Sequence, residues 1–330
     1  MITRRVLLKS AAAVAALTVL APAWAESDGP IRVVATFSIL GDMVSRIGGE
    51  HVAVTTLVGP DGDTHVYRPT PAAARAVSEA DVLVVNGLDF EGWLDRLIET
   101  TNFDGVRVVA TEGIDPITLE DDHGDDHDGG HDHEESKAAE DHGDENDGHE
   151  AHAHGAFDPH AWQSLRHAVS YVDNVTLALA NASPDSATAF YRSRALYVAE
   201  IEALDAEIRS LLAEVPESAR TIVTSHDAFQ YFGRDYGLAF IAPQGLSTES
   251  EASAKDVVRL IELIRSQGIR AVFLENIADP RLLKRIADET GATIGGTLYP
   301  GALSGPDGPA PTYLDMMRHN ARTLAQALTP

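Results

Sequence analysis

Fourteen histidines and no cysteine define the chemistry open to this chain of 330 residues. Without thiolates there is no sulfur nucleophile and no soft sulfur site, so any metal must be held by histidine, aspartate, glutamate or water. Eight of the histidines (His123, His127, His131, His133, His142, His149, His152 and His154) fall between Glu120 and His154, among fifteen acidic residues and a single base, Lys137. The other six are His51, His65, His160, His167, His226 and His319. Three of these follow the ends of strand-like runs or open helix-like ones. His65 lies in a glycine-rich segment after VAVTTLV (Val52–Val58), and His226 ends TIVTSH (Thr221–His226). His160 sits in FDPHAW, with Asp158 placed to cap a helix and Pro159 in its first position.

Three imidazoles completed by a carboxylate or water suit Zn(II), which prefers four-coordinate nitrogen, oxygen or sulfur sites. Calcium and magnesium want mostly oxygen, and manganese favours more carboxylates than this set offers. A ligating imidazole must be neutral, and a helix N-terminus at His160 would disfavour its protonation. Taken singly, each histidine is more often a surface or hydrogen-bonded residue than a ligand. His167, seven residues after His160, reads as a structural or exposed neighbour on the same helix face, and His51 and His319 have no supporting context. A zinc hydrolase with three histidines and Asp227 as general base is the enzymatic alternative. No HExxH pattern, nucleophile elbow or phosphate loop accompanies it.

These residues need a scaffold, and the surrounding pattern supplies one. Strand-like runs at Ile31–Ser38, Val52–Val58, Asp81–Gly87 and Val106–Ala110 alternate with helical stretches through Ile39 to Ile47, Pro71 to Glu79, and Trp93 to Leu97. The second half repeats the theme with Thr221–His226, Ala239–Ala242, Ala271–Glu275 and Ala292–Leu298, and a helix near Asp256–Ser266 ends at Gly268. Such alternation predicts an α/β protein of two βαβ-type lobes with parallel sheets. Loops at the carboxyl ends of parallel strands are the usual ligand crevice. Between the halves, residues Pro184 to Glu214 contain no glycine and no further proline, which predicts a helix of roughly 45 Å, long enough to join the lobes rigidly. The expected divisions are residues 1–25, an N-terminal lobe over 26–182, a connecting helix over 183–215 and a C-terminal lobe over 216–330. The acidic segment 120–154 has almost no large apolar residues and is expected to be disordered.

Arg4, Arg5 and Lys9, the apolar run Ala11–Leu20 and the tripeptide Ala23-Trp24-Ala25 form the pattern of a cleaved export signal. TRRVLLK also resembles a twin-arginine signal, and general secretion fits as well. The net charge of −26 comes more than half from residues 120–154, and no basic stripe is present to bind nucleic acid. With no cysteine there is neither a disulfide nor a residue for an N-terminal lipid, so a soluble, exported, unanchored protein is expected.

Four segments then carry a resemblance. GPDGDTHVYRPTP (Gly59–Pro71), FDPHAWQSLRHA (Phe157–Ala168), VTSHDAFQYFGRDYGL (Val223–Leu238) and GPAPTYLDMMRHN (Gly308–Asn320) resemble, in order, the ZnuA/TroA-type periplasmic zinc- and manganese-binding proteins of ABC importers. The resemblance implies two α/β lobes joined by a long helix, metal in the cleft between them, and His65, His160 and His226 as its ligands. It implies a periplasmic monomer that hands Zn(II) to a membrane permease, with a periplasmic zinc chaperone as a further candidate partner. A zinc buffer or adhesin without an importer is the alternative within the binding class. Manganese-favouring members tend to carry a carboxylate where this chain has His226, which points to zinc. One departure concerns LYPGALS (Leu298–Ser304): the family often has an aspartate ligand where this chain has Gly301. Asp307, water or a histidine of the acidic segment would then complete the site. That segment resembles the insertion of zinc-specific members and reads as a set of weak auxiliary sites that raise local zinc concentration. Deleting residues 120–154 is expected to slow loading at scarce zinc while leaving final affinity similar; equal loading rates with and without the segment would dispose of the collector role.

Overall fold

The computed structural model describes residues 29–119 and 156–329. The export signal expected at 1–25 and the His-rich segment at 120–154, with its eight histidines, lie outside the described residues.

The first lobe is a parallel sheet of β1 (Ile31–Phe37), β2 (Val52–Val58), β3 (Val82–Val85) and β4 (Val106–Val109), in the spatial order β2-β1-β3-β4. The second is a parallel sheet of β5 (Thr221–Val223), β6 (Ala239–Ile241), β7 (Ala271–Glu275) and β8 (Thr293–Leu298), in the order β6-β5-β7-β8. The expected two-lobed α/β architecture is therefore present, and the two sheets have the same winding. In each, strand order reverses beside the first strand, between β1 and β3 and between β5 and β7. Chain connections leave in opposite directions there and open a crevice at the carboxyl ends. β1 and β3 are buried along nearly their whole length, as strands covered on both faces must be.

Helices α1 (Ser38–Gly48), α2 (Pro71–Ser78) and α3 (Leu94–Thr101) belong to the first lobe. Next in the chain come α4 (Leu165–Ala182) and α5 (Ala187–Ala213). Helices α6 (Gln230–Tyr236), α7 (Ala254–Gln267), α8 (Arg281–Thr290) and α9 (Tyr313–Leu328) belong to the second lobe. Local signals account for several ends. Thr70 accepts from Ala73 N ahead of Pro71, Ser253 accepts from Asp256 N, and Gly237, Gly268 and Gly291 end α6, α7 and α8 in the left-handed conformation.

Helix α5 contains 27 residues and extends about 40 Å. Its buried stripe of Phe190, Tyr197, Ile201, Leu204, Ile208 and Leu212 recurs at helical spacing and packs against α1 and α4 on one side and α6 and α9 on the other. It starts later than the Ser183-Pro184 signal predicts. Pro184–Ser186 form a 3-10 turn first, and the Ser183 hydroxyl donates to Ser186 Oγ instead of capping an α-turn. One apolar cluster runs continuously through both lobes, from Phe37 and Val84 through Trp162, Tyr171 and Ile208 to Tyr231, Phe273 and Tyr313. A smaller cluster lies where β5 and β7 meet α7 and α8. A shared core of this kind couples the lobes mechanically, because close-packed side chains resist separation.

Candidate metal centre

His65, His160 and His226 converge between the two sheets, each offering one ring nitrogen within 4.8 Å of the others. The three rings form a nearly equilateral triangle, with centroids 5.4, 5.5 and 5.7 Å apart. His160 and His226 are fully buried and His65 is half-buried. Phe90 packs edge-on against His65 at 4.9 Å, and Trp162 lies 5.2 Å from His160, so the triangle has an apolar wall.

Each ring is aimed by a different device. His226 follows β5, but the strand stops at Val223. The backbone N–H groups of Ser225 and His226 turn to the Glu275 carboxylate at 2.9 and 3.1 Å, and the other Glu275 oxygen lies 2.5 Å from His226 Nδ1. Glu275 ends β7, so the pair occupies the crevice of the second sheet. His160 is not in an α-helix, contrary to the sequence expectation. It precedes a 3-10 turn, Ala161–Gln163, and α4 begins only at Leu165 with Ser164 as its cap. Asp158 does not cap a helix either: its Oδ1 accepts from His160 N at 2.9 Å and lies 2.8 Å from His160 Nδ1. Asn86, at the end of β3, donates to Pro159 O at 2.9 Å and fixes this segment over the first sheet. His65 hangs from the turn after β2, where Asp63 Oδ1 accepts from its backbone N–H at 3.0 Å.

When Nδ1–H donates to a buried carboxylate, the lone pair of Nε2 points the other way, which sets the tautomer required of a metal ligand. The Nε2 atoms of His65 and His160 stand 3.3 Å apart, and Nε2 of His226 is buried with no hydrogen-bond partner. Inward-facing basic nitrogens, one of them orphaned, fit a Lewis-acidic cation. Burial pulls the His65 pKa well below the ordinary histidine range, and the neighbouring His160 and His226 push it the same way. At His226 burial also disfavours the cation, but the charge and hydrogen bond of Glu275, helped by Asp63 and Asp227, outweigh it and raise the pKa above the ordinary value.

Asp307 does not join the centre. It is exposed at the tip of a turn closed by Ser304 N to Ala310 O at 2.8 Å and Ala310 N to Ser304 Oγ at 3.0 Å. This closure holds Asp307 on the solvent side of the turn. Gly301 is buried, and a Cβ there would meet only Trp162 Cζ2, at 3.7 Å. The remaining described histidines lie elsewhere. His51 packs on Phe190, His167 on Tyr231, and His319 Nε2 is 3.0 Å from Thr297 O. Sequence reasoning missed Glu275 and the role of Asp158. A carboxylate closing a buried strand beside the point where strand order reverses was the available signal for Glu275.

The chain matches the family ZnuA, zinc-uptake complex component A, periplasmic, over residues 33–327. It is 31% identical over 305 residues to the manganese-binding lipoprotein MntA of Halalkalibacterium halodurans, covering 92% of this chain and 90% of the relative. It is 30% identical over 295 residues to the iron-binding protein YfeA of Yersinia pestis, covering 89% and 85%. Among solved structures, the periplasmic zinc-binding protein TroA of Treponema pallidum superposes with a TM-score of 0.78 at 27% identity, covering 92% of this chain and all of the other. The lipoprotein among these relatives overturns the expectation of a soluble, unanchored protein. Cysteine content bears on one attachment chemistry, and the expectation extended it to the address of the whole protein, which it does not determine. Among the described residues, no helix is long and apolar enough to cross a membrane.

Because His226 must lose its proton to ligate and its pKa is raised, cation binding below that raised pKa is expected to release a proton, and the release should fade as pH rises through it. Affinity should rise as pH increases through that raised pKa and level off above it. Glu275→Gln removes the charge that holds the pKa up, so the pH edge should move to lower pH. The plateau affinity should also fall about 10–100-fold as the ring loses its orienting partner. Titration calorimetry in buffers of different ionisation enthalpy measures the proton count and the edge together; an unmoved edge in the variant would refute the assignment.

Proposed function

The chain belongs to the ZnuA family of periplasmic zinc-uptake components, and from that membership we propose that it captures Zn(II) on His65, His160 and His226 and delivers it to an ABC-type importer. It is a metal-binding substrate-binding protein of an ABC importer, with a membrane permease as its partner, and not an enzyme. The hydrolase alternative therefore falls. Asp227, its imagined base, accepts from Gln230 Nε2 at 2.6 Å.

The observation that carries the choice of zinc is the donor set. Three imidazoles converge, and among the described residues no carboxylate joins them as a fourth donor. Manganese and iron(II) favour sites with more oxygen and higher coordination number, whereas Zn(II) accepts a tetrahedral arrangement of three nitrogens and a water. Manganese- and iron-binding relatives at about this identity make the cation a matter of the few side chains in the cleft rather than of the fold. The buried carboxylates of Asp158 and Glu275 support the reading from behind the rings, since orienting an imidazole through its far nitrogen raises its basicity toward the ion. Ligands drawn from loops of both lobes support capture and release, because withdrawal of one loop removes one donor from the ion. The histidines at 123, 127, 131, 133, 142, 149, 152 and 154 complete the proposal as weak collecting sites feeding the cleft.

Metal competition on the purified chain tests the whole reading. One tight zinc per molecule is expected, with zinc preferred over manganese, and His65→Ala, His160→Ala and His226→Ala should each weaken it by at least about 100-fold. Tighter binding of manganese than of zinc, or indifference to the three substitutions, would sink it. Gly301→Asp is the complementary gain of function: a Cβ there would meet Trp162 Cζ2 only at an ordinary 3.7 Å, and an added carboxylate donor is expected to narrow the preference for zinc over manganese.

A further inference from the structure

The three imidazoles are not held equally, and the difference lies in the loop after β2. His160 and His226 each have a buried carboxylate on Nδ1, while His65 has no hydrogen bond from Nδ1 among the described residues and is the half-buried member of the triangle. What holds His65 is its backbone. Asp63 Oδ1 accepts from His65 N at 3.0 Å, and Asp63 Oδ2 accepts from Thr248 Oγ1, across the cleft in the second lobe, at 2.5 Å. The same loop meets the second lobe at Asp61, whose backbone N–H donates to Leu303 O at 2.8 Å and whose Oδ1 accepts from Asn276 Nδ2 at 2.9 Å. Asn276 directly follows Glu275, the residue that orients His226. The turn through Asp61 has a positive φ of 55°, in the left-handed region that aspartate enters more readily than most side chains.

We propose that the hydrogen bond from Thr248 to Asp63 is a latch between the lobes that holds His65 against the other two imidazoles and sets the rate at which the bound ion leaves. Asp63 is thus a positioning residue: one carboxylate oxygen carries the His65 backbone and the other reads whether the second lobe is in place. When the loop containing Thr248 withdraws, Asp63 loses a partner for a half-desolvated carboxylate oxygen, and His65 becomes free to lift off. The ion then remains on the two rings fixed by Asp158 and Glu275, a low-coordination state from which water or an acceptor removes it. This inference rests on the reading that the three histidines bind the ion.

Zinc release from the full chain into excess chelator, followed by stopped flow, tests it. Thr248→Val keeps the shape and removes the hydroxyl, and on the order of tenfold faster release is expected, as for loss of a hydrogen bond to a charged acceptor. Thr248→Ser keeps the hydroxyl and should release at the wild-type rate, which a purely structural role of the threonine methyl would not produce. Asp63→Ala should also accelerate release, and adding Thr248→Val to it should produce no further acceleration, because both remove the same interaction. Wild-type zinc binding with equal release from Thr248→Val, or fast release from Thr248→Ser, overturns the latch alone. A wild-type chain that binds no zinc overturns the metal site on which the latch depends.

Discussion

Nitrogen lone pairs aimed at one point repel one another, and burying them together is unfavourable unless something positive sits between them. The centre of this protein is built on that constraint. Two rings are turned inward by carboxylates that also hold the backbone N–H groups beside them, and Asp158 Oδ2 is itself buried without a partner. The arrangement is locally frustrated: a proton can relieve one nitrogen pair at a time, while a cation satisfies all three rings at once. Opposed pKa directions at His65 and His226 express the same frustration, since the cleft tolerates one positive charge beside Glu275 and resists a second.

The scaffold keeps this strained arrangement because the two lobes are not independent bodies. Trp162 donates to Pro300 O, Tyr313 donates to Trp162 O, and Tyr231 donates to Asp158 O, so aromatic side chains within the shared core also fasten the segments that present the ligands. α5 runs behind them as a common strut. A core shared by both lobes opposes a hinge between them, and the loops at the cleft mouth, held by polar contacts, are where local opening costs least. Buried Glu91 belongs to the same framework. It accepts from Thr36 Oγ1 at 2.6 Å and from Asn86 N at 2.7 Å, tying β1 to the end of β3 directly beneath the Phe90 wall.

Much of this was legible in the sequence. The strands at Val52–Val58 and Ala271–Glu275 match the pattern reading residue for residue, because short β-branched runs bounded by turn residues leave little choice. The three histidines stood out because each sits at a boundary between elements. What could not be read was pairing at a distance. Nothing near His226 announces Glu275, 49 residues away, and without Glu275 the run TIVTSH looks like one strand through to His226. Its last donors leave the sheet for a side chain. Asp158 was misread for the same reason. Local rules assign an aspartate before proline to a helix cap, and the imidazole two residues on competes for it successfully. The position of Asp307 was equally unreadable, because a turn's direction depends on the hydrogen bonds that close it, here those of Ser304 with Ala310.

The first lobe also contains an antiparallel bridge between Thr118 and Phe157, reinforced by Leu119 N to Ala156 O at 3.0 Å and Asp158 N to Ile117 O at 2.9 Å. The bridge clamps the two chain ends on either side of residues 120–155 next to each other, one residue before the carboxylate that aims His160. A graft point of this kind is insulated. Once its ends are joined, the cost of lengthening the intervening chain grows only with the logarithm of its length, and the alignment of the neighbouring imidazole does not depend on what is inserted. Length at this position is therefore a weak constraint on the fold, because the bridge, and not the intervening chain, sets where the two ends stand beside the cleft.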